Sequence, residues 1–199
     1  THDMGAVKKY CNKAVLIEDG LIKAIGNPDD VANQYSFDNA IQPTQEKAAA
    51  SENKTKQVAL VENFEVKLLS PNQVTPDDEL KFEFTFTQLQ DIETHIAMSF
   101  VDINTNYGYY NDNSMDLKIS GTGEKKVIYT CKLPYLNHAR LRLEATIRDS
   151  DKRVLAFAVS SKAPIVFIER NDIPEDDESA LDSATGLLVR NGSWQESHT

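Results

Sequence analysis

Between residues 58 and 168, apolar side chains recur at every second position, the period of a strand that buries one face and wets the other. Phe64/Val66/Leu68, Leu80/Phe82/Phe84/Phe86, Ile96/Met98/Phe100, Val127/Tyr129/Cys131/Leu133, Leu141/Leu143/Ala145/Ile147 and Val154/Ala156/Ala158 all keep that step. Turn formers punctuate them at Ser70-Pro71-Asn72, Pro76-Asp77-Asp78, Gly121-Thr122-Gly123 and Asp149-Ser150-Asp151. Short strands at this spacing, with no helical period between them, predict a mainly β region built as an immunoglobulin-like antiparallel β-sandwich. The Cys-Trp-Cys core of true immunoglobulin domains is absent.

The pattern before this region is different. Residues 1–42 read as α/β: a short helix through Val7-Lys8-Lys9-Tyr10, then a strand Ala14-Val15-Leu16-Ile17, the turn Glu18-Asp19-Gly20, and a second strand Leu21 to Ile25 that closes a hairpin. Pro28 with Asp29 and Asp30 opens a helix, because proline suits the first helical turn and acids there complement the dipole. That helix should turn Val31, Ala32 and Tyr35 inward. Some 40 residues rarely bury enough surface to fold alone, so this piece is expected to be the end of a larger domain. Residues 43–57 carry no large apolar side chain and have linker composition. The domain reading is therefore 1–42, 43–57 and 58–199.

After Ile168 comes an acidic stretch, with eight acidic and two basic residues between Glu169 and Thr199, expected to be a solvated loop around Glu175-Asp176-Asp177-Glu178. A last apolar segment, Gly186 to Arg190 with Trp194 beyond it, reads as a strand that either joins its own sandwich or reaches a second protomer. The net charge of -10, without runs of Lys or Arg among aromatics, argues against nucleic acid as a partner. No apolar run reaches the roughly 18 residues of a membrane-spanning helix. Cys11 and Cys131 are far apart and unclustered, which predicts reduced structural thiols and no metal site.

The opening carries the most specific signal. Thr1-His2-Asp3-Met4, a helix, the hairpin Ala14-Val15-Leu16-Ile17-Glu18-Asp19-Gly20-Leu21-Ile22 and the helix start Gly26-Asn27-Pro28-Asp29-Asp30-Val31 follow in the order seen at the end of ABC transporter ATPase domains, which the chain resembles. The resemblance implies that His2 is the switch histidine that contacts the nucleotide γ-phosphate. No Gly-x-x-x-x-Gly-Lys-Ser/Thr loop, Leu-Ser-Gly-Gly signature or Walker B strand occurs here, so these residues alone should not hydrolyse ATP. ATP and magnesium belong, on this resemblance, to an intact subunit.

An ATPase end, a polar linker and a β domain of this size resemble the ATP-binding subunits of bacterial polysaccharide exporters of the O-antigen and rhamnose-glucan type. Pro76-Asp77-Asp78-Glu79-Leu80, Phe100-Val101-Asp102-Ile103-Asn104, Gly123-Glu124-Lys125-Lys126-Val127 leading to Leu133-Pro134, and Gly186-Leu187 through Trp194 carry that likeness. It implies a cytoplasmic location beside a transmembrane permease, a homodimer, and a carbohydrate-binding domain that takes the glycan before export. Asn137-His138-Ala139-Arg140 departs from the family, which has glycine and an aromatic there.

Sugars present C–H faces ringed by hydroxyls, so a site for them combines aromatic plates with amides or carboxylates. Asn106, Tyr107, Tyr109, Tyr110, Asn111 and Asp112 supply that mix in one short stretch and are the candidate glycan-binding residues, with a neutral or weakly charged chain as the expected ligand. His95 and His138 read as isolated, solvated side chains. A competing class is a structural or regulatory appendage that pairs ATPases without touching sugar. A hydrolase finds no nucleophile matched to a histidine and an acid.

Overall fold

The computed structural model describes residues 1, 3–18, 20–40 and 59–196, with the side chains of 36–40 left aside. The linker reading at 43–57 and His2 therefore lie outside the described residues.

The first unit follows the predicted order: α1 (Met4–Tyr10), β1 (Ala14–Glu18), β2 (Leu21–Gly26) and α2 (Pro28–Ala40). Asp3 caps α1 through Oδ1, which accepts from the Ala6 N–H at 2.9 Å. Gly20 sits at φ +78° in the hairpin turn, a conformation that suits glycine. The Asp29 N–H bonds Asn27 Oδ1 at 2.9 Å at the start of α2. Val31 and Ala32 are buried, as expected.

The mainly β region forms an immunoglobulin-like antiparallel β-sandwich. Its strands are β3 (Val61–Leu68), β4 (Gln73–Val74), β5 (Leu80–Gln88), β6 (Thr94–Asp102), β7 (Gly108–Asn113), β8 (Gly123–Cys131), β9 (Ala139–Asp149), β10 (Val154–Phe157) and β11 (Ile165–Ile168). One sheet runs β3-β5-β8; the other runs β4-β11-β9-β6-β7, with β10 following β11 along the same edge of β9. The short β4–β11 pair is parallel.

Alternation sets which side chains meet. Phe82, Phe84 and Phe86 of β5 and Ile96, Met98 and Phe100 of β6 face one another, with Leu141, Leu143 and Ile147 of β9 completing the core. Phe82 and Phe100 cross between the sheets with ring centroids 5.6 Å apart. Each such side chain contributes about 1.5–3 kcal/mol through burial. On β3 the apolar step breaks between Val61 and Phe64, both buried, because Asn63 (φ +56°) sits in a bulge that shifts the register between Glu62 and Glu65. Gln88 is buried at the end of β5, where its Nε2 donates to the Gln90 carbonyl at 3.1 Å and its Oε1 accepts from Thr94 Oγ1 at 3.0 Å.

Two expectations are corrected by the tail. Part of the acidic stretch is helical: α3 (Glu178–Ser183) starts on Asp177, whose carboxylate accepts from the Ala180 N–H at 2.9 Å. The segment after Gly186 forms no full strand. It docks on its own chain through one bridge, Leu136 to Leu188, flanked by Asn137 N–H to Leu187 C=O and Val189 N–H to Tyr135 C=O, both 2.9 Å. The reason is Asn137, only 1% exposed, whose Nδ2 donates to the carbonyls of Gly186 (2.8 Å) and Leu188 (2.7 Å) while its Oδ1 accepts from Arg170 (3.0 Å). A side chain that takes the carbonyls replaces strand pairing, and Trp194 is left 95% exposed.

Candidate functional site

The outward positions of β6, β7 and β9 are polar or small, so the larger sheet presents a wet face opposite its core. Ala97 and Ser99 of β6 lie beside Thr146 and Glu144 of β9 in register, and Ser99 pairs with Asn111 of β7. These residues floor a groove of about 560 Å³. Asn113 and Met115 stand on the β7 side, and Phe157, Ser160 and Asn33 on the other.

The second wall is built by the first unit. Asp30 accepts from the Ser160 N–H at 2.6 Å, and Asn33 Nδ2 donates to Ser160 Oγ at 3.1 Å while its Oδ1 accepts from Lys8 at 2.8 Å. Asp29 reaches the sheet itself, pairing with Arg142 at 3.1 Å. Arg142 also holds Glu144 at 2.7 Å and donates to Asn106 at 3.1 Å, so one guanidinium ties α2, the groove floor and the β6–β7 turn together.

That turn is tightly held. Asp102 Oδ1 accepts from the N–H groups of Asn104 (3.0 Å) and Thr105 (2.7 Å), and Asn106 sits at φ +61°. Behind it β7 runs close to β6: a Cβ added at Gly108 would meet Ser99 Oγ at 3.0 Å.

The six sequence-derived candidates share this turn and strand but not one face. Asn111 lines the groove beside Ser99; Asp112 borders it too, but in register with core-facing Met98 it turns its carboxylate to the inner side. Tyr107 is exposed at the turn, and Tyr109 packs partly buried against the core. Tyr110 points between the sheets, its ring 6.1 Å from Phe100. Its hydroxyl donates to Asp112 Oδ2 at 2.9 Å, and Tyr129 Oη, from β8 of the opposite sheet, donates to the same oxygen at 2.8 Å. Burial would raise the Asp112 carboxyl, but the bonds from Tyr129, the Asn113 N–H and Tyr110 outweigh it and hold it below the usual value. Burial, with the Tyr110 and Asp112 bonds, pushes the Tyr129 phenol far up.

Sequence reasoning missed Ser99, Thr146, Glu144 and Arg148. The signal was present in the outward positions of β6 and β9, but these strands are some 40 residues apart and nothing local says that they pair. His95, expected in solvent, is 7% exposed on this face opposite Arg148; burial first, then Arg148, lowers its imidazole pKa. His138 is exposed as expected. Among the described residues no group of His, Cys, Asp and Glu gathers to hold a metal ion.

No family model matches the chain, and no curated protein matches it. Among solved structures it is similar to the C-terminal domain of Wzt, at 11% identity and a TM-score of 0.49, covering 70% of this chain and 86% of that one. It is also similar to a PKD domain of an M14-like peptidase from a Thermoplasmatales archaeon (9% identity, TM-score 0.36, 53% of this chain and 94% of that one). A third match is a β-glucuronidase of glycoside hydrolase family 2 (16% identity, TM-score 0.34, 47% of this chain and 10% of that one).

Proposed function

We propose that this chain is the substrate-recognition part of the ATPase subunit of a bacterial polysaccharide exporter, and that it takes the glycan in the groove on the outward face of β6, β7 and β9. The observation that carries this reading is the groove's lining. Asn111 and Asn113 offer amides that can donate and accept, Ser99 and Thr146 offer hydroxyls, and Phe157 and Met115 offer apolar surface for the C–H face of a sugar ring. The order of elements in residues 1–31, which resembles the end of an ABC ATPase, supplies the transport context: a permease, a paired subunit and the cytoplasmic side of the membrane. Several weak contacts give micromolar to millimolar affinity once ordering costs are subtracted, which suits a polymer that must be released.

The test is NMR titration of the 199-residue chain with a panel of purified cell-surface polysaccharides. Shifts should concentrate at Ser99, Asn111 and Thr146, and Asn111→Ala with Thr146→Ala should abolish them while Tyr107→Ala leaves them. Binding that ignores the groove variants, or no binding across the panel, overturns the reading.

A second reading, an appendage that pairs subunits, is favoured by the exposed Tyr135, Leu188 and Trp194 at the tail. Sedimentation of the chain with and without residues 186–199 decides it: loss of a dimer on truncation supports pairing through the tail, and an unchanged species excludes it.

A further inference from the structure

One end of the groove carries positive charge that no ion pair among the described residues neutralises. His95 and Arg148 stand opposite each other in register on β6 and β9, and Lys152, from the β9–β10 turn, lines the same end. Three of the other five arginines are held in ion pairs: Arg142 by Asp29 and Glu144, Arg153 by Asp149 and Asp151, and Arg170 by Asp172. None of the ion pairs among the described residues includes His95, Arg148 or Lys152. Arg148 is half-buried and spends only its Nε, which donates to Thr146 Oγ1 at 3.1 Å. Its two terminal nitrogens have no hydrogen-bond partner among the described residues, and a guanidinium edge is the group that matches an oxyanion two bonds at a time.

In a chain of net charge -10, a half-buried arginine and an exposed lysine meet at one end of a polar groove with no carboxylate in an ion pair with either, an arrangement that a bound anion would complete. Of the carboxylates nearby, Glu93 acts on His95 through its charge alone, and the others are engaged. Glu144 is held by Arg142, Asp149 by Arg153, and Asp112 by the two tyrosines.

Resting on the reading of this groove as a saccharide site, we propose that its His95–Arg148–Lys152 end is an oxyanion subsite, and that the glycan recognised carries an acidic group, a carboxylate or a phosphate on the sugar. Arg148 makes the forked contact, Lys152 adds a mobile charge from the turn, and Asn111 and Thr146 beside them bond the ring hydroxyls. This replaces the expectation of a neutral ligand. His95 reports on the event. Arg148 and Lys152 disfavour its charged form, Asp149 and Glu93 favour it, and burial opposes it. A bound oxyanion adds an opposing negative charge, so its imidazole should titrate at higher pH when the subsite is filled.

The experiment uses the 199-residue chain and four small probes at matched ionic strength: inorganic phosphate, galacturonate, neutral galactose and sodium chloride. His95 ring and Arg148 side-chain resonances should move with phosphate or galacturonate, with an upward shift of the His95 titration, and stay still with galactose and chloride. The stronger of the two acidic probes tells whether the group is a phosphate or a carboxylate. Arg148→Gln should weaken that binding about ten-fold or more, as loss of charged hydrogen bonds does, Arg148→Lys should keep part of it, and Arg190→Gln, which removes the same charge at an exposed distant site, should change nothing. Phosphate and galacturonate acting no differently from chloride, or Arg148→Gln binding them as well as wild type, overturns the subsite. If polysaccharides bind the groove while both acidic probes fail, the subsite falls and the saccharide reading stands. If the acidic probes bind and no polysaccharide does, the saccharide reading falls and the subsite stands.

Discussion

The hairpin β1–β2 and the strands β5 and β6 are written in similar side chains, yet their fates differ. In the hairpin, Val15, Ile17, Leu21, Ile22 and Ile25 are between 47% and 74% exposed, whereas Phe82, Phe84 and Phe100 have almost no accessible surface. Both regions pair strands and satisfy their backbone. Only the sandwich has a second sheet to lay over the apolar face. A strand's residues offer an apolar surface, and the stabilisation comes from what covers it. The first unit holds to the sandwich through polar contacts of α2.

The largest effect should therefore separate the two regions outright. Phe82→Ala or Phe100→Ala should cost about 3–5 kcal/mol, the range for a large core aromatic cut to alanine. Ile17→Ser should fall within about 0.5 kcal/mol. Urea unfolding followed by circular dichroism measures both, and a hairpin variant as damaging as a core one would break the contrast.

Next comes the tail, which is polar-pinned like α2 but to a buried anchor. Asn137→Ala removes the donor that meets Gly186 and Leu188 and leaves the Arg170 bond unmade, at a cost of about 1–3 kcal/mol. Trypsin should then cut at Arg190 faster while β9 keeps its protection from amide exchange. Unchanged cleavage would mean that the tail is held by something else.

Smaller still is the joint between the two regions. Asp29 Oδ1 and Arg142 Nε have no hydrogen-bond partner among the described residues, so that pair offsets only part of its own desolvation. Asp29→Asn should lower stability by about 1 kcal/mol and speed amide exchange in α2 without touching the sandwich. Equal acceleration in β9 would show that the two units melt together.

The finest distinction is in pH. His95 titrates below its unfolded value of about 6.5, so the unfolded chain takes up that proton first, and the stability it brings is complete above that pH and lost as pH falls below it. Asp112 is likewise lowered, so its contribution is complete above about pH 4 and disappears in more acid solution. Denaturant midpoints across pH 3–8 should show both steps, and His95→Gln should remove only the upper one. A loss of stability on raising the pH through this window would reverse the sign and refute the assignment.

The candidate site was half legible for a reason these residues show. Asn111 and Asp112 were found because they are neighbours of tyrosines in one stretch, and composition over a few residues is a local signal. Tyr109 and Tyr110 belong to the same stretch, but a register shift between Phe100 and Val101 of the partner strand β6 turns both toward the core side. Arg148 could be read as an outward position of its own strand, but not as the neighbour of His95, because the pairing of β6 with β9 is non-local.

Within the sequence alone lay six of the sandwich strands (β3, β5, β6, β8, β9 and β10), their buried faces and the hairpin and helix of the first unit, since each depends on side-chain period and turn residues that lie close along the chain. The partner of each strand, the bulges that shift phase in β3 and between β6 and β7, the docking of α2 on the outward sheet and the seat that Asn137 makes for the tail were decided only in three dimensions. Each of those depends on contacts between segments far apart in sequence, whose energies exist only once the chain has closed the loops between them.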